Sequence, residues 1–426
     1  MGNGNVSPYS YTSEMTVSTA DDIVLGGSYP SYTSVGSTVP VSLTWEKSTT
    51  YDVGLDLDFF NNRLSVSGDY YRRYTTDMYT ASVALPAVYG TGSPKGNNAE
   101  MKTDGWELSL SWRDSFKLGG KPFDYSIKAM VWDSKSVITK YVNDTGSLGT
   151  VKGFIENGGS PSSYYVGMTV GEIWGYTVAG LFRDQADIDS SAIHDFVQAS
   201  DKVTRPGQVK IADLDGNGFI DPGNFAVDDH GDLRIIGNQS PRYRYGVNLS
   251  ARWNGIGLSV FLQGVGARDW YPGSDAGMFW GKYGRPFFAL IPSIHNYTDD
   301  MYSAERNNWD TAYWPRMTTY QSNGTKNWTR LLEIPNTRYI QSAAYLRVKN
   351  IQLDYSFPKH ICSAIRLQGL KIYVNAENLF TFTPLHKYAP NFDPEGLSYD
   401  SDFASAADGY TYPILKSVTV GVNITF

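Results

Sequence analysis

Ser417-Val418-Thr419-Val420-Gly421-Val422-Asn423-Ile424-Thr425-Phe426 alternates without a break and ends the chain on an aromatic ring. Successive side chains of a strand point to opposite faces, so Val418, Val420, Val422, Ile424 and Phe426 share one face. Ser417, Thr419, Gly421, Asn423 and Thr425 share the other. A strand of a soluble sandwich alternates too, so the period by itself fixes only a β conformation. Termini normally fray into solvent. A last strand with one apolar and one small-polar face, stopping on Phe, is what a membrane barrel needs to meet lipid outside and water inside.

The 426 residues have room for two or three ordinary domains or one large piece of a barrel. A net charge of −7 leaves no broad basic surface for phosphate contacts, which argues against nucleic acid as a partner. No run of 18 apolar residues exists, so transmembrane helices are excluded. Barrels escape that test, because alternating strands average to a polar hydropathy, here −0.34. The single cysteine, Cys362, rules out an internal disulfide and any paired-cysteine metal site, and reads as a half-buried thiol beside a turn. Residues 2–13 are polar and hold no apolar leader. An outer-membrane protein needs one, so a barrel reading implies that the true N-terminus lies outside this sequence.

Period-two runs predict about nine strands, over 45–60, 64–78, 103–113, 123–141, 243–253, 256–270, 345–357, 370–381 and 415–426. Their connections alternate between tight turns (61–63, 114–122, 254–255, 358–368) and long segments (79–102, 142–242, 271–344, 382–413). Compact soluble domains rarely hold loops of that length. Transmembrane barrels have short periplasmic turns and long outer loops, and with tight turns on the periplasmic side Phe426 falls at the periplasmic rim. The expected fold is all-β: an antiparallel transmembrane β-barrel segment with long extracellular loops. Residues 1–43 are expected to be an extracellular loop or the end of a preceding strand, and 44–426 the barrel part. The rival is a soluble extracellular β-rich module whose Asp loop is a calcium-stabilised carbohydrate site.

Within the long segments, Asp213-Leu214-Asp215-Gly216-Asn217-Gly218-Phe219-Ile220-Asp221 has the spacing of a calcium loop. Such loops place oxygen ligands at positions 1, 3 and 5, Gly at 6 and a backbone carbonyl at 7. Asp213, Asp215, Asn217, Gly218 and Phe219 fill those places, with Asp221 alongside. Position 12, normally a bidentate Glu, is Asn224, and Asp228, Asp229 and Asp232 are available to replace it. A solvated Asp-Gly turn cluster would read the same way. Residues 270–328 are dense in aromatics, among them Trp280, Tyr283, Trp309 and Trp314. Such rings can form platforms for a sugar or a protein partner, or they can bury one another as a satellite core. The five histidines are scattered, and no nucleophile elbow, phosphate loop or metalloprotease pair is present, so no catalytic residue is expected.

Several segments resemble a known family. Trp45-Glu46-Lys47-Ser48 through Gly54, followed by Asp69-Tyr70-Tyr71 and Thr76-Asp77, resembles the first strands of a barrel block in SusC/RagA-type TonB-linked outer-membrane transporters. Gly171-Glu172-Ile173-Trp174-Gly175-Tyr176 with Gly180-Leu181-Phe182 is similar to a loop motif of that family. So is the stretch from Pro206-Gly207 through 213–221 to Ile236-Gly237-Asn238 and Pro241. Tyr345-Leu346-Arg347-Val348-Lys349-Asn350, Asn375-Ala376-Glu377-Asn378-Leu379-Phe380 and Asp393-Pro394-Glu395 continue the series in order to the end.

The resemblance implies a 22-stranded barrel with a plug and a TonB box. It also implies import of glycan oligosaccharides or peptides across the outer membrane of Bacteroidetes, under a SusD-like surface lipoprotein and driven by TonB. This sequence shows about nine strands and neither plug nor TonB box, so it is expected to be the C-terminal barrel portion, reaching TonB through the missing N-terminal part. The spacing between Ile220 and Ile236 departs from the family pattern. Thr419, Gly421, Ile424 and Phe426 resemble the signal read by the outer-membrane assembly machinery. Outer-membrane lipid is then a further partner, and possible cofactors reduce to Ca2+.

Overall fold

The computed structural model describes residues 12, 15–20, 23–36, 39, 43–81, 95–142, 164–194, 203–272, 276–280, 300–316, 334–397 and 414–426. Its main sheet has nine strands: β1 (Lys47–Phe59), β2 (Leu64–Ala81), β3 (Lys95–Leu118), β4 (Lys121–Lys140), β5 (Arg242–Trp253), β6 (Ile256–Ala267), β7 (Tyr345–Ser356), β8 (Gly369–Phe382) and β9 (Ser417–Thr425). Each pairs antiparallel with its neighbour in chain order, and β1 and β9 are the two edges. No helix among the described residues is long and apolar enough to cross a membrane.

The tight turns follow from local chemistry. Gly119-Gly120 and Asn254-Gly255 both hold positive φ at two successive residues, the geometry whose twist matches two flanking strands. The 358–368 connection is a short helix, Lys359–Ala364, rather than a bare turn, and it buries Cys362 fully. Strands β2 and β3 run past the expected boundaries and pair as far as Ala81 and Lys95. Lys95-Gly96-Asn97-Asn98 carries no alternation to announce a strand; polar contacts hold the extension instead, Asn97 Nδ2 donating to Thr44 O at 2.9 Å and to Asp77 O at 2.5 Å. Before β1, Met15–Thr19 and Ser31–Val35 form a separate two-stranded hairpin.

The register extends the alternation of the last strand across the whole sheet. Leu57, Val66, Leu110, Ala129, Val247 and Leu262 lie in line on neighbouring strands, as do Leu258, Leu353, Val374 and Val420. This apolar face is uncovered: Val53 is 76% exposed and Val420 73%. Phe60, Trp112, Phe116, Phe123, Tyr355 and Phe357 cluster at its turn end, as an aromatic girdle at a membrane interface does. The opposite face carries Asp52, Asp56, Ser65, Ser109, Lys128, Asn248, Ser250 and Gln352. A soluble sandwich packs its apolar face into a core. Here the core sits elsewhere, among residues of 138–343 and 385–397 gathered at the long-loop end. The soluble-module reading fails on that point, and the sheet is a curved piece of barrel wall with a lipid side and a lumen side.

Candidate functional site

Three short ladders build the layer over the long-loop end: Glu172–Tyr176 with Leu233–Asn238, Val178–Leu181 with Val209–Ile211, and Asp269–Trp270 with Gln341–Ser342. Segments that read from sequence as loops thus contain their own β structure. The family-like motifs are its joints. Glu172 accepts hydrogen bonds from the Tyr165 hydroxyl (2.5 Å) and the Thr169 N–H (2.8 Å), and burial, reinforced by this carboxylate, pushes the Tyr165 phenol well above its usual range.

Arg347, only 3% exposed, sits on the lumen face near the long-loop end of β7 and grips the 393–395 turn. Its guanidinium meets Asp393 at 2.5 Å and Glu395 at 2.7 Å, and donates to Thr381 Oγ1 at 2.9 Å. Lys349 adds a second contact to Glu395 at 2.9 Å. Burial raises the Asp393 carboxyl, but hydrogen bonds from Arg347 and the Glu395 N–H outweigh it and hold the group below the usual carboxylate range. The sequence reading found these motifs separately; only the fold shows that one is the other's partner.

The Asp213 loop is stapled into this layer. The Ile193 N–H donates to Gly218 O at 2.8 Å, and the Ile220 N–H donates back to Ile193 O at 2.8 Å. Asp213 accepts from the N–H groups of Gly216 (2.7 Å) and Gly218 (2.9 Å), which hold its carboxyl low. Carboxylate oxygens of Asp213, Asp215 and Asp232 lie within 4.8 Å of one another. Two oxygens on opposite sides of a calcium ion are separated by about that distance, so the donor set fits a hard cation. Asp213 and Asp215 belong to the sequence expectation, and Asp232 is one of the three downstream carboxylates offered for position 12. Asn217 Oδ1 takes the Phe219 N–H (2.7 Å), and Asp221 is occupied by Asn217 Nδ2 (3.1 Å) and the Gly223 N–H (2.7 Å). Asp232 reaches the site because 221–232 doubles back, with the Asp232 N–H on Asp221 O at 3.0 Å, and its carboxylate accepts from the Leu214 N–H (2.6 Å) and the Asp221 N–H (3.1 Å). Asp232 is fully buried, which pushes its carboxyl up, and a nearby cation would reverse that.

The expected contact aromatics are not open platforms. Trp280 is 3% exposed and Trp314 0%. Trp314 stacks on Tyr339 (5.7 Å) and meets Phe279 (5.4 Å) and Trp280 (6.1 Å), so the rings satisfy one another inside the loop layer. Trp309 packs partly buried against the same cluster. Tyr283 lies outside the described residues. Burial corrects Trp280 and Trp314 as contact residues of this arrangement: an apolar ring beside others leaves water whenever the chain can fold over it.

On β9, Gly421 lies under the ring of Tyr373, and a Cβ there would come 2.3 Å from Tyr373 Cζ. Thr419 shares that lumen face opposite Asn375, while Ile424 pairs Leu370 on the lipid face and Phe426 stands exposed at the rim. The Tyr373 ring therefore fills the space that a side chain at 421 would take. Gly421→Val should overpack this joint by about 1–3 kcal/mol. Heat-modifiability on gels would show it as a reduced folded fraction of the full-length protein; an unchanged fraction would mean that Tyr373 swings aside freely.

Among known proteins, a family model described as TonB dependent receptor-like, beta-barrel, matches residues 4–379. TonB-dependent receptor P3 of Formosa agariphila is 26% identical over 433 residues, covering 100% of this chain and 38% of the relative. TonB-dependent receptor SusC of Bacteroides thetaiotaomicron is 24% identical over 391 residues, covering 90% of this chain and 32% of its own length. The RagAB peptide importer in its open-open state shares the fold at a TM-score of 0.67 and 19% identity, over 99% of this chain and 38% of that one. The chain spans about two fifths of the length of the first of these relatives. With its uncovered lipid face, polar lumen and long-loop layer, the chain belongs to the TonB dependent receptor-like, beta-barrel family, and is similar over its length to part of SusC and of the RagAB importer.

Proposed function

We propose that this chain forms part of a TonB-dependent importer that takes up glycan oligosaccharides or peptides, with a SusD-like surface lipoprotein closing over its loop layer. The supporting observation is the loop layer itself. It is packed as a core of its own and clamped to the barrel wall by Arg347, which suits a fixed rim against which a separate lid can seat. Coupling to TonB belongs to the portion of the longer protein outside this chain. Deleting the gene should abolish growth on one oligosaccharide or peptide class and leave monomer use intact, and the tagged protein should co-purify with a surface lipoprotein. Unimpaired growth on every oligosaccharide and peptide tested would sink the proposal.

As part of the same reading, the Asp213 loop binds calcium through Asp213, Asp215 and Asp232, stiffening the outer layer. Adding calcium at about millimolar concentration, the range of extracellular modules, should slow amide exchange in 213–232 of the full-length protein. Chelation should restore it, and Asp232→Asn should remove the response. Exchange that ignores calcium would leave a hydrogen-bonded Asp turn.

A further inference from the structure

The lipid face ends, toward the long loops, in charge. Arg72 on β2 is opposite Asp104 on β3, and Asp104 is opposite Lys135 on β4. Lys102 lies two residues further along β3. The register from Val66 to Arg72, from Leu110 to Lys102 and from Ala129 to Lys135 runs without a shift, so all four residues stand on the apolar side of the wall. Asp104 is shared, at 2.5 Å from Arg72 Nε and 3.3 Å from Lys102 Nζ. Lys135 is exposed and makes no ion pair among the described residues. Three cations therefore face one carboxylate. Neighbouring charges are neutralised one for one: Lys47 by Asp77, Arg242 by Asp133, Lys140 by Glu100.

We infer that Arg72, Lys102 and Lys135 form a binding site for the phosphorylated headgroup of an outer-leaflet lipid, whose acyl chains lie along the column below. Charge on a barrel's lipid face is strongly unfavourable at the bilayer midplane and nearly neutral at the interface. That places the cluster at headgroup height. Tyr70 and Trp106 lie immediately beneath it, the Tyr70 hydroxyl donating to Asp104 at 3.1 Å, as interfacial aromatics do. Further down the same strands, Val66, Leu110 and Ala129 offer the aliphatic surface that a free phosphate could not use. Continuity of a cationic rim with an acyl-binding face selects an anionic amphiphile. The inference rests on the lipid-facing orientation of the wall and is independent of the cargo.

The test is native mass spectrometry of the full-length protein in detergent, with bis-phosphorylated lipid A, its dephosphorylated form and inorganic phosphate as probes. Phosphorylated lipid A should be retained. A triple variant, Arg72→Gln with Lys102→Gln and Lys135→Gln, should retain it about tenfold less or weaker still. Lys128→Gln, on the lumen face, should match the wild type. Equal retention by the triple variant, equal retention of the dephosphorylated lipid, or competition by inorganic phosphate would each overturn the site. If the triple variant does not fold, the wild-type comparison of the two lipids decides.

Discussion

Replacing Arg347 by alanine is expected to destabilise the loop layer by about 3–5 kcal/mol, the usual result of removing one partner of a buried charge pair. The guanidinium is nearly inaccessible and makes contacts to Asp393, Glu395 and Thr381 at once. Its loss leaves the Asp393 carboxylate half-buried, with only backbone donors at Glu395 and Ile414 for company. Amide exchange over 384–397 in the full-length protein is the direct measurement, and protection there should collapse while β8 and β9 remain protected. Arg347→Lys should recover only part, because an ammonium cannot reproduce the planar fork. Replacing Arg347 and Asp393 together by Met and Leu should cost less than Arg347→Ala alone, since no orphan charge is left at that position. Protection unchanged in Arg347→Ala would mean that Arg268, which donates to the carbonyls of Pro394 (3.2 Å) and Leu397, holds the turn by itself.

The barrel wall was legible in the sequence because the period of a strand survives wherever one face meets lipid. Leu57, Leu110 and Val420 could be placed on a common face from their spacing alone. Two other features could not be read from spacing, for physical reasons. Strand β3 begins at Lys95, where Gly96, Asn97 and Asn98 carry no apolar period and Asn97 holds the strand through hydrogen bonds to the Thr44 and Asp77 carbonyls. Of the three downstream carboxylates the spacing offered, Asp232 is the one that joins Asp213, because Gly223 and Gly231, both at positive φ, let the chain turn back on itself. Counting twelve positions along the chain leads instead to Asn224. Aromatic density in 270–328 was visible, but its direction was not. A ring that stacks on a ligand and a ring that stacks on Tyr339 have the same composition, and only the path of the neighbouring chain distinguishes them. The Arg347 clamp was half visible: both motifs stood out, while their partnership spans 46 residues of chain.

Trp314→Ala is the second large expectation, and it separates the two parts of the molecule. Truncating a fully buried tryptophan costs about 3–5 kcal/mol, and Trp314 touches Phe279, Trp280, Tyr313 and Tyr339 in a single cluster. Its backbone also closes the layer: the Trp314 N–H donates to Asp300 O at 2.8 Å, and the Tyr302 N–H donates to Trp314 O at 2.9 Å. None of these residues belongs to a wall strand. The wall is held instead by ladders between sequential neighbours and by lipid, so the damage should stay above the membrane. Full-length Trp314→Ala should still insert and migrate as a folded, heat-modifiable barrel, while added protease cuts its outer loops far faster than those of the wild type. A variant that fails to insert would show that the loop layer helps to nucleate the wall. One whose loops stay resistant would show that the cluster tolerates the cavity. The expected pattern, an intact wall under a loosened rim, would make the loop layer an independently cooperative unit, and would mean that lid seating and membrane insertion can be impaired one at a time.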